Sequence, residues 1–302
     1  MTMGFSNDEL EKFREAGKIA REVRETMRKT VYEGMRIIDV CEKTEGLIRK
    51  LGGKPAFPCN VSINEIAAHY TSPPEDKEII PKNSVVKVDI GTHIDGYVAD
   101  TAVTVCFNPE HHAMVTAAED ALKVATETIQ SGMFTSKLGS AVQKTIESHG
   151  FKPISNLTGH QVGRYTVHAG RSLPNVVHIS TTRVHEGEVY AVEPFVTLRE
   201  ARGSVGNGRE ITIFKFKKRK SMRTPEAKQL LQYIEAEFRT LPFAERWLQV
   251  STMKSRYKEA FTEIRRSNCL TEYPIFVEVS GKPVAQAEHT LRVTANGCEV
   301  IT

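Results

Sequence analysis

Residues 84–107 read SVVKVDIGTHIDGYVADTAVTVCF, and this stretch decides how the rest of the chain is interpreted. Two runs rich in β-branched residues flank Asp95–Gly96, a dipeptide typical of two-residue hairpin turns. If that dipeptide forms the turn, Gly91 lies opposite Asp100 on the neighbouring strand. The sequence therefore predicts an antiparallel hairpin over residues 84–107.

The predicted hairpin brings two aspartates to one face. Asp89 and Gly91 are two residues apart and point the same way, and Asp100 lies diagonal to Asp89, about 7–8 Å away at the backbone. In mostly apolar surroundings two carboxylates repel and resist ionisation, and a divalent cation removes that penalty. Gly91 has no side chain and leaves room between them. A capping or salt-bridged aspartate pair is the alternative, and the hairpin alone does not exclude it.

Composition narrows the class of protein. The chain has 302 residues, 40% of them hydrophobic and 26% charged, which is typical of a globular protein with a sizeable core. A net charge of +4 does not require a nucleic-acid partner. Five scattered cysteines without a CxxC pair argue against a disulfide framework and a thiolate zinc site. The polar N-terminus and the lack of a long apolar window favour a soluble, cytoplasmic protein with no membrane partner.

The rest of the chain alternates between helical and strand patterns. Helices are expected over residues 6–32, 37–51, 110–131 and 136–149 and within 225–268. Short strands are expected over residues 189–195, 210–216 and 284–293, and residues 202–210 (RGSVGNGRE) are expected to form a flexible loop. This order predicts an α+β fold in which helices pack on an antiparallel or mixed sheet.

Five further side chains are candidates for chemistry: His69, His160, His168, Glu193 and Glu288. Both glutamates lie where strand patterning predicts a buried residue, and a glutamate is rarely buried unless it is paired or binds a metal. A salt bridge to a basic residue is the alternative for each. His160 and His168 lie in glycine-bounded loops, where a hydrogen-bonded core histidine is the usual interpretation. His69 alone would be interpreted as a surface residue.

Together these pieces resemble the methionine aminopeptidases, members of the pita-bread metallohydrolases. The resemblance runs from about residue 8 to the C-terminus and rests on KPAFPCNVSINEIAAHY (54–70), VKVDIGTHIDGYVADTAVTV (86–105), LTGHQVGRYTVHAG (157–170), AVEPF (191–195), LPFAERWLQ (241–249) and AQAEHT (285–290). It implies five metal ligands: Asp89, Asp100, His160, Glu193 and Glu288. In one departure, Ala287 replaces the phenylalanine of the usual AQFEHT motif, which puts local packing in doubt and leaves the ligand intact.

The resemblance also implies a reaction. The family removes the N-terminal methionine from nascent proteins, prefers a small second residue, and uses a metal-bridging hydroxide to attack the first peptide bond. Two divalent ions are implied, bridged by Asp100 and Glu288. The oxygen-rich donor set suits Mn, Fe or Co and also accommodates Zn. Glu193 is the implied proton carrier, and His168 would hydrogen-bond the scissile carbonyl.

His69 would contact the peptide near the leaving nitrogen. It would have no metal bond and a pKa near neutrality, which would make it the one nucleophilic histidine of the site. The resemblance implies the same, since epoxide inhibitors of the type II enzymes alkylate the matching histidine.

The substrate pocket and the domain boundaries are less sharply defined. Phe57, Val167 and Tyr273 are candidate walls of an apolar methionine pocket, with ordinary core packing as the alternative for each. The 94 residues between Glu193 and Glu288 leave room for a helical insertion at about 203–272, typical of the type II branch. We therefore expect a single catalytic domain over residues 1–302 of the archaeal kind, because the chain lacks a long charged N-terminal extension.

Partners follow from the implied substrate and from charge. Nascent polypeptides with an N-terminal methionine are the expected substrates, and the protein is expected to be a monomer. One basic run, KFKKRK, could approach the acidic surface of the ribosome; its basic residues are Lys215, Lys217, Lys218, Arg219 and Lys220.

Two rival functions remain at this stage. A proline-specific peptidase of the same fold would share the five ligands, and hydrolysis of Met-Ala against Ala-Pro separates the two activities. A non-catalytic relative that binds ribosomes or RNA would have lost ligands, and the metal content of purified protein tests that alternative. The intact ligand set and the AAHY, YTVHAG and LPFAERW segments favour the methionine enzyme.

Overall fold

A computed structural model describes residues 5–250 and 257–302. Its helices are α1 (Asn7–Thr30), α2 (Ile37–Lys50), α3 (His112–Thr128), α4 (Thr135–Ser148), α5 (Pro225–Phe238) and α6 (Tyr257–Arg266), with 3₁₀ turns at Pro109–His111 and Glu245–Val250. Its strands are β1 (Lys54–Pro55), β2 (Asn60–Ile63), β3 (Ile66–Ala68), β4 (Val85–Ile94), β5 (Tyr97–Cys106), β6 (Lys152–Pro153), β7 (Thr158–Gln161), β8 (Ser172–Pro174), β9 (Val189–Val192), β10 (Phe195–Thr197), β11 (Val205–Phe216), β12 (Pro242–Ala244), β13 (Leu270–Glu278), β14 (Val284–Gln286), β15 (Glu288–Thr294) and β16 (Gly297–Val300).

The predicted hairpin is confirmed in its register. β4 and β5 pair antiparallel, with Gly91 opposite Asp100 and Asp89 opposite Ala102. Both residues of the Asp95–Gly96 turn have positive φ, 49° and 91°, as a type I′ turn requires. The alternation of side chains along the two strands then fixes which residues face the interior of the molecule.

Three sheets carry the fold. The largest has nine strands in the order β1-β4-β5-β15-β9-β7-β8, with β16 added to β15 and β2 added to β4. A three-stranded sheet has the order β14-β10-β6, and a four-stranded sheet has the order β12-β11-β13-β3. Among the described residues every paired strand is antiparallel. The predicted α+β class is confirmed, and of the two predicted sheet types the antiparallel one is found.

Helices cover these sheets with their apolar faces. α1 starts at the predicted capping box, in which Ser6 and Glu9 exchange hydrogen bonds, and it packs on the β4–β5 hairpin through buried residues such as Phe13 and Ala20. α3 and α4 pack on each other; α3 also packs on β10 and β14, and α4 on β6 and β8. No helix within residues 5–250 and 257–302 is long and apolar enough to cross a bilayer.

Two predicted strands are each divided in two. The expected strand over 189–195 stops at Val192 and resumes at Phe195, because Pro194 has no N–H to donate to a ladder. The expected strand over 284–293 breaks at Ala287, whose N–H donates to the carbonyl of Pro194 over 3.3 Å. At both breaks the chain passes between the nine-stranded and the three-stranded sheet. The two candidate glutamates therefore lie beside sheet crossings.

The predictions for residues 202–210 and 225–268 were wrong in part. Most of the expected flexible loop belongs to β11, which pairs with β13. Gly208 allows the Ile275 side chain to pack against the backbone, since a Cβ at that position would lie 2.4 Å from Cγ1 of Ile275. The expected helical stretch is interrupted by β12 and a 3₁₀ turn, and residues 251–256 of it lie outside the described residues. The insertion boundaries at 203–272 stay a prediction, as does the single domain over 1–302.

Candidate metal centre and substrate cavity

A cavity of about 70 Å³ lies between the nine-stranded and the four-stranded sheets. All ten side chains predicted from the sequence line it: Phe57, His69, Asp89, Asp100, His160, Val167, His168, Glu193, Tyr273 and Glu288. Four lining residues were not predicted: Asn60, Ala68, Ile213 and Pro242. Segments up to 231 residues apart in sequence thus meet in one place (Phe57 to Glu288).

The strand ladders position the carboxylates. Asp89 and Asp100 face the cavity from β4 and β5, and Glu288 begins β15, opposite Ala102 of β5. Asp100 is further held by Thr290, whose hydroxyl accepts from its N–H over 2.7 Å and donates to its carbonyl over 2.8 Å. These contacts fix the backbone of two candidate ligands on neighbouring strands.

His160 brings its imidazole into the same cluster from β7. Its Nε2 lies 3.6 Å from Oδ2 of Asp100 and 3.4 Å from Oε1 of Glu193. One ligand atom each from Asp100, His160 and Glu288 lies within 4.8 Å of the other two. This spacing is short enough for the three side chains to share an ion.

Neutral amides complete the cluster. Nε2 of Gln286 lies 3.4 Å from Oε2 of Glu193 and 3.4 Å from Oε2 of Glu288. Nδ2 of Asn60 donates to Oδ2 of Asp89 over 3.4 Å. Both amides orient carboxylates without neutralising them. Neither amide was predicted from the sequence, although each is a polar residue in an otherwise buried strand, the one signal that could have found them.

The cluster is electrostatically unfavourable by itself. Burial raises the pKa of Asp89 to about 7. Burial and the neighbouring carboxylates raise the pKa of Asp100 and of Glu288 well above the usual range, and burial with the charge of Asp89 does the same for Glu193. Burial and the nearby His168 lower the pKa of His160 to about 3. Anions resist ionisation here and the imidazole stays neutral.

A divalent cation fits this donor set. No Lys or Arg within residues 5–250 and 257–302 forms a salt bridge with the four carboxylates, so the salt-bridge alternative fails. Oδ1 of Asp89, Oδ1 of Asp100 and Nδ1 of His160 are buried without a hydrogen-bond partner. Buried groups of this kind are usually satisfied, and bound cations are one way to do so.

His69 lies on the opposite side of the cavity. It follows β3 with a φ of 68°, and its ring centroid is 4.5 Å from that of Phe276 and 5.8 Å from that of Tyr273. The ring is partly buried, so the surface position expected from its local sequence was wrong. Burial and the charge of His168 lower the pKa of His69 to about 4. The expected near-neutral pKa was therefore also wrong, and the ring is neutral throughout the physiological range.

His168 is the more accessible of the two histidines. Its ring centroid lies 4.2 Å from that of His160, on the loop after β7, and part of its surface reaches solvent. Desolvation and the charge of Lys215 lower the pKa of His168. At neutral pH it is an uncharged imidazole with one N–H to donate.

The remaining lining is apolar. Phe57, Val167 and Ile213 are each less than a tenth exposed and project into the cavity. The Phe57 ring also occupies the space over Gly91 that was expected to be open between the two carboxylates, since a Cβ on Gly91 would lie 2.3 Å from its Cε1. Ile213 and Pro242 come from β11 and β12, and nothing in their local sequence marks them as lining residues.

Known proteins share this sequence and fold. Residues 11–215 match metallopeptidase family M24. A methionine aminopeptidase of Methanocaldococcus jannaschii is 43% identical over 292 residues, which cover 97% of this chain and 98% of that protein. A solved methionine aminopeptidase of Thermotoga maritima superposes with a TM-score of 0.72 at 23% identity, covering 100% and 99% of the two chains. A thermophilic Arx1 superposes with a TM-score of 0.80 at 18% identity, covering 98% and 91%.

These matches agree with the geometry of the cavity. The structural neighbours confirm the predicted pita-bread fold. Membership in a metallopeptidase family implies the use of divalent metal, which the cluster of four carboxylates and an imidazole suits. The chain belongs to metallopeptidase family M24 and, within it, to the methionine aminopeptidases.

Proposed function

We propose that this protein is a metal-dependent aminopeptidase that removes the N-terminal methionine from nascent proteins and prefers a small second residue. The observation that carries this proposal is the cavity itself. Five candidate ligands face one side of it, and two neutral imidazoles and an apolar lining complete it. The relative from Methanocaldococcus jannaschii, similar over nearly the whole chain, supports the same activity.

We assign the metal to Asp89, Asp100, His160, Glu193 and Glu288, and we propose two divalent ions chosen from Co, Mn, Fe and Zn. The short distances among Asp100, His160 and Glu288 support this assignment, as do the buried carboxylate oxygens without partners. When bound, the metal supplies Lewis acidity and lowers the pKa of water. The protein supplies the fixed donor geometry and a site largely closed to solvent.

The chain's own groups then divide the proton transfers. Glu193, whose pKa is raised by burial, takes a proton from water and passes it to the leaving amine. His168 donates its N–H to the scissile carbonyl, which stabilises developing negative charge. His69 lies across the cavity and contacts the peptide beside the leaving nitrogen. Both imidazoles are neutral, so neither repels the free amino group of a substrate.

Methionine recognition falls to the apolar lining. Phe57, Val167 and Tyr273 are the proposed pocket walls, now joined by Ile213 and Pro242. The apolar part of the lining suits an unbranched thioether side chain. We assign the protein to the type II branch because β11–β13, α5 and α6 lie between Glu193 and Glu288.

The direct test is release of methionine from Met-Ala-Ser and Met-Leu-Ser by chelated and metal-restored protein. We expect the protein to hydrolyse the first peptide and to hydrolyse the second far more slowly. Chelation should abolish this activity, and addition of Mn, Fe or Co should restore it. Hydrolysis of Ala-Pro in place of Met-Ala would instead identify a proline-specific peptidase. Full activity in rigorously metal-free protein would contradict the assignment of the five ligands.

We also propose a cytoplasmic monomer that meets its substrates at the ribosome through the basic run 215–220. Residues 217–220 of this run are exposed. Arg219 pairs with Glu235 over 2.5 Å and Nζ of Lys217 donates to Oδ1 of Asn268 over 3.2 Å, whereas Lys218 and Lys220 form no side-chain ion pair among the described residues. Phosphate backbones attract such clusters in a salt-dependent way. Lys218→Glu/Lys220→Glu should reduce cosedimentation with ribosomes at low salt, and equal sedimentation would remove this proposal.

A further inference from the structure

A buried ion pair outside the cavity joins α2 to the segment after β12. Glu45 and Arg246 are 2% and 6% exposed, and Nη2 of Arg246 donates to Oε1 of Glu45. Nε1 of Trp247 donates to Oε2 of Glu45 over 2.7 Å. Neither member of the pair lines the cavity. Because desolvation offsets much of the attraction in a buried ion pair, its contribution to stability alone is a weak explanation for it.

The ion pair is tied to two segments that do reach the cavity. Nη1 of Arg246 donates to Oγ1 of Thr71 over 2.7 Å and to the carbonyl of Ser72 over 2.9 Å. Oε1 of Glu45 accepts from the N–H of Cys59 over 3.1 Å. The Thr71 hydroxyl donates to the carbonyl of the same Cys59 over 2.7 Å. Thr71 is therefore held by Arg246 on one side and by the backbone of Cys59 on the other.

From Thr71 the hydrogen bonds continue to the backbone of His69. The N–H of Thr71 donates to Oγ1 of Thr212 over 3.2 Å, and that hydroxyl lies 3.4 Å from the carbonyl of His69, to which it donates. Thr212 lies on β11 and is 8% exposed. It is the side chain that joins the ion-pair network to His69.

His69 has a backbone that needs such support. Its φ of 68° lies in the left-handed region, which is unfavourable for a residue with a Cβ. A residue keeps this strained backbone conformation only when the surrounding contacts stabilise it, and such residues are concentrated at functional sites. The direction of the His69 ring depends on this backbone conformation.

We propose that Glu45, Arg246, Thr71 and Thr212 form a positioning network that holds His69 in its reactive orientation. None of the four side chains lines the cavity, although Thr212 is the chain neighbour of Ile213. Their hydrogen bonds reach the site at the carbonyl of His69. This inference rests on the proposed function for its kinetic consequences. Its structural consequence, a fixed His69 ring, is independent of catalysis.

Thr212 offers the sharpest test because one atom carries the connection. Thr212→Val keeps the shape of the side chain and removes the hydroxyl, whereas Thr212→Ser keeps the hydroxyl and is the matched control. We expect Thr212→Val to lower kcat about tenfold, with KM and metal affinity by calorimetry within about twofold of wild type. Thr212→Ser should stay close to wild type in all three quantities. Equal losses in both variants, or none in Thr212→Val, would overturn the proposal.

A spectroscopic measurement separates this inference from the proposed function. In ¹⁵N-histidine-labelled protein, the ring resonances of His69 should shift in Thr212→Val and stay in place in Thr212→Ser. If wild type releases no methionine, the proposed function fails, and this spectrum still decides the inference. Unmoved His69 resonances in Thr212→Val would contradict it whatever the activity.

Arg246→Lys tests the distant end of the network. Lysine keeps the positive charge but has a single nitrogen in place of the two guanidinium nitrogens that donate to Thr71, Ser72 and Glu45. If Arg246 has a merely structural role, the loss in kcat caused by Arg246→Lys should add to the loss caused by Thr212→Val. A network predicts that the double variant is no slower than the slower single variant, because both break the same connection. Additive losses would limit the positioning role to Thr212 and exclude the ion pair.

Discussion

The two sides of the cavity are built on different principles. The carboxylate wall belongs to the nine-stranded sheet and its sheet crossings and consists of Asp89, Asp100, His160, Glu193 and Glu288. The recognition wall belongs to the four-stranded sheet and consists of His69, Ile213, Pro242 and Tyr273. The first concentrates charge that burial opposes, and the second is neutral.

This difference separates the tasks of the site. A wall of repelling carboxylates gains stability only when a cation joins them, so its energetics follow metal binding. The recognition wall packs without metal, and in the proposed function its contacts act on the substrate. Variants in the two walls should therefore be distinguishable by metal dependence and by the division of their effects between kcat and KM.

The largest effect should come from Asp100→Asn in the carboxylate wall. We expect activity to fall by more than about a thousandfold, because one of the proposed metal ligands is lost. Chelated Asp100→Asn should be at least as stable as chelated wild type, since one repelling carboxylate is gone. Thermal unfolding with and without Mn²⁺ checks this; wild type should gain stability with the metal and the variant should not. An equal gain in both would show that Asp100 is not a ligand.

His69→Ala should have the next largest effect and should leave metal binding intact. Turnover should fall about a hundredfold, consistent with loss of a positioned imidazole. A family epoxide inhibitor should add once per wild-type chain at His69 and not at all to His69→Ala. Because the pKa of His69 is lowered to about 4, the alkylation rate should be constant between pH 5 and pH 8. Peptide mapping of the adduct to His168, or a rate that rises through about pH 6.5, would show the assignment to be wrong.

A smaller effect is expected from Ile213→Ala in the recognition wall. The side chain is 4% exposed, and its loss removes apolar contact with the substrate methionine. KM for Met-Ala-Ser should rise about tenfold with little change in kcat, since the contact is made equally in the ground and transition states. Val279→Ala, at an exposed position just after β13, is the control and should change neither constant. A decrease confined to kcat would show that Ile213 affects the chemical step and not the binding of the methionine side chain.

The last effect concerns stability rather than turnover and is a pH dependence of the metal-free carboxylate wall. Burial raises the pKa of Asp89 to about 7, above its value of about 4 in an unfolded chain. Its contribution to stability is then fully present below about pH 4 and is lost as pH rises through about 7. Chelated wild type should lose up to about 1.4 kcal/mol per pH unit relative to Asp89→Asn in that window. Urea unfolding of both proteins measures this, and a constant difference would contradict it.

Prediction from sequence succeeded where the signal was local. The Asp95–Gly96 turn and the alternation around it specified the β4–β5 register, and the Ser6–Glu9 pair specified the start of α1. Turn chemistry and capping depend on residues a few positions apart, so they can be read from one chain. The candidate ligands came from polar residues in apolar strands together with the family resemblance.

Prediction failed where a contact joined distant segments. Residues 202–210 are rich in glycine and so were expected to be flexible, but residues 205–207 pair with β13 and Ile275 covers Gly208. The break at Ala287 lies where the chain passes from the three-stranded to the nine-stranded sheet. Pairing partners more than fifty residues away leave no mark in the local pattern.

The sequence by itself therefore determined the hairpin, the helices α1 to α4 and the chemical character of the candidate ligands. Only the tertiary structure decided that Ile213 and Pro242 line the cavity and that Asn60 and Gln286 orient the carboxylates. It also decided that His69 is neutral, since burial against Phe276 and proximity to His168 lower its pKa. Turns and periodicity act through neighbouring residues, whereas desolvation and cavity walls arise only when distant strands pack together.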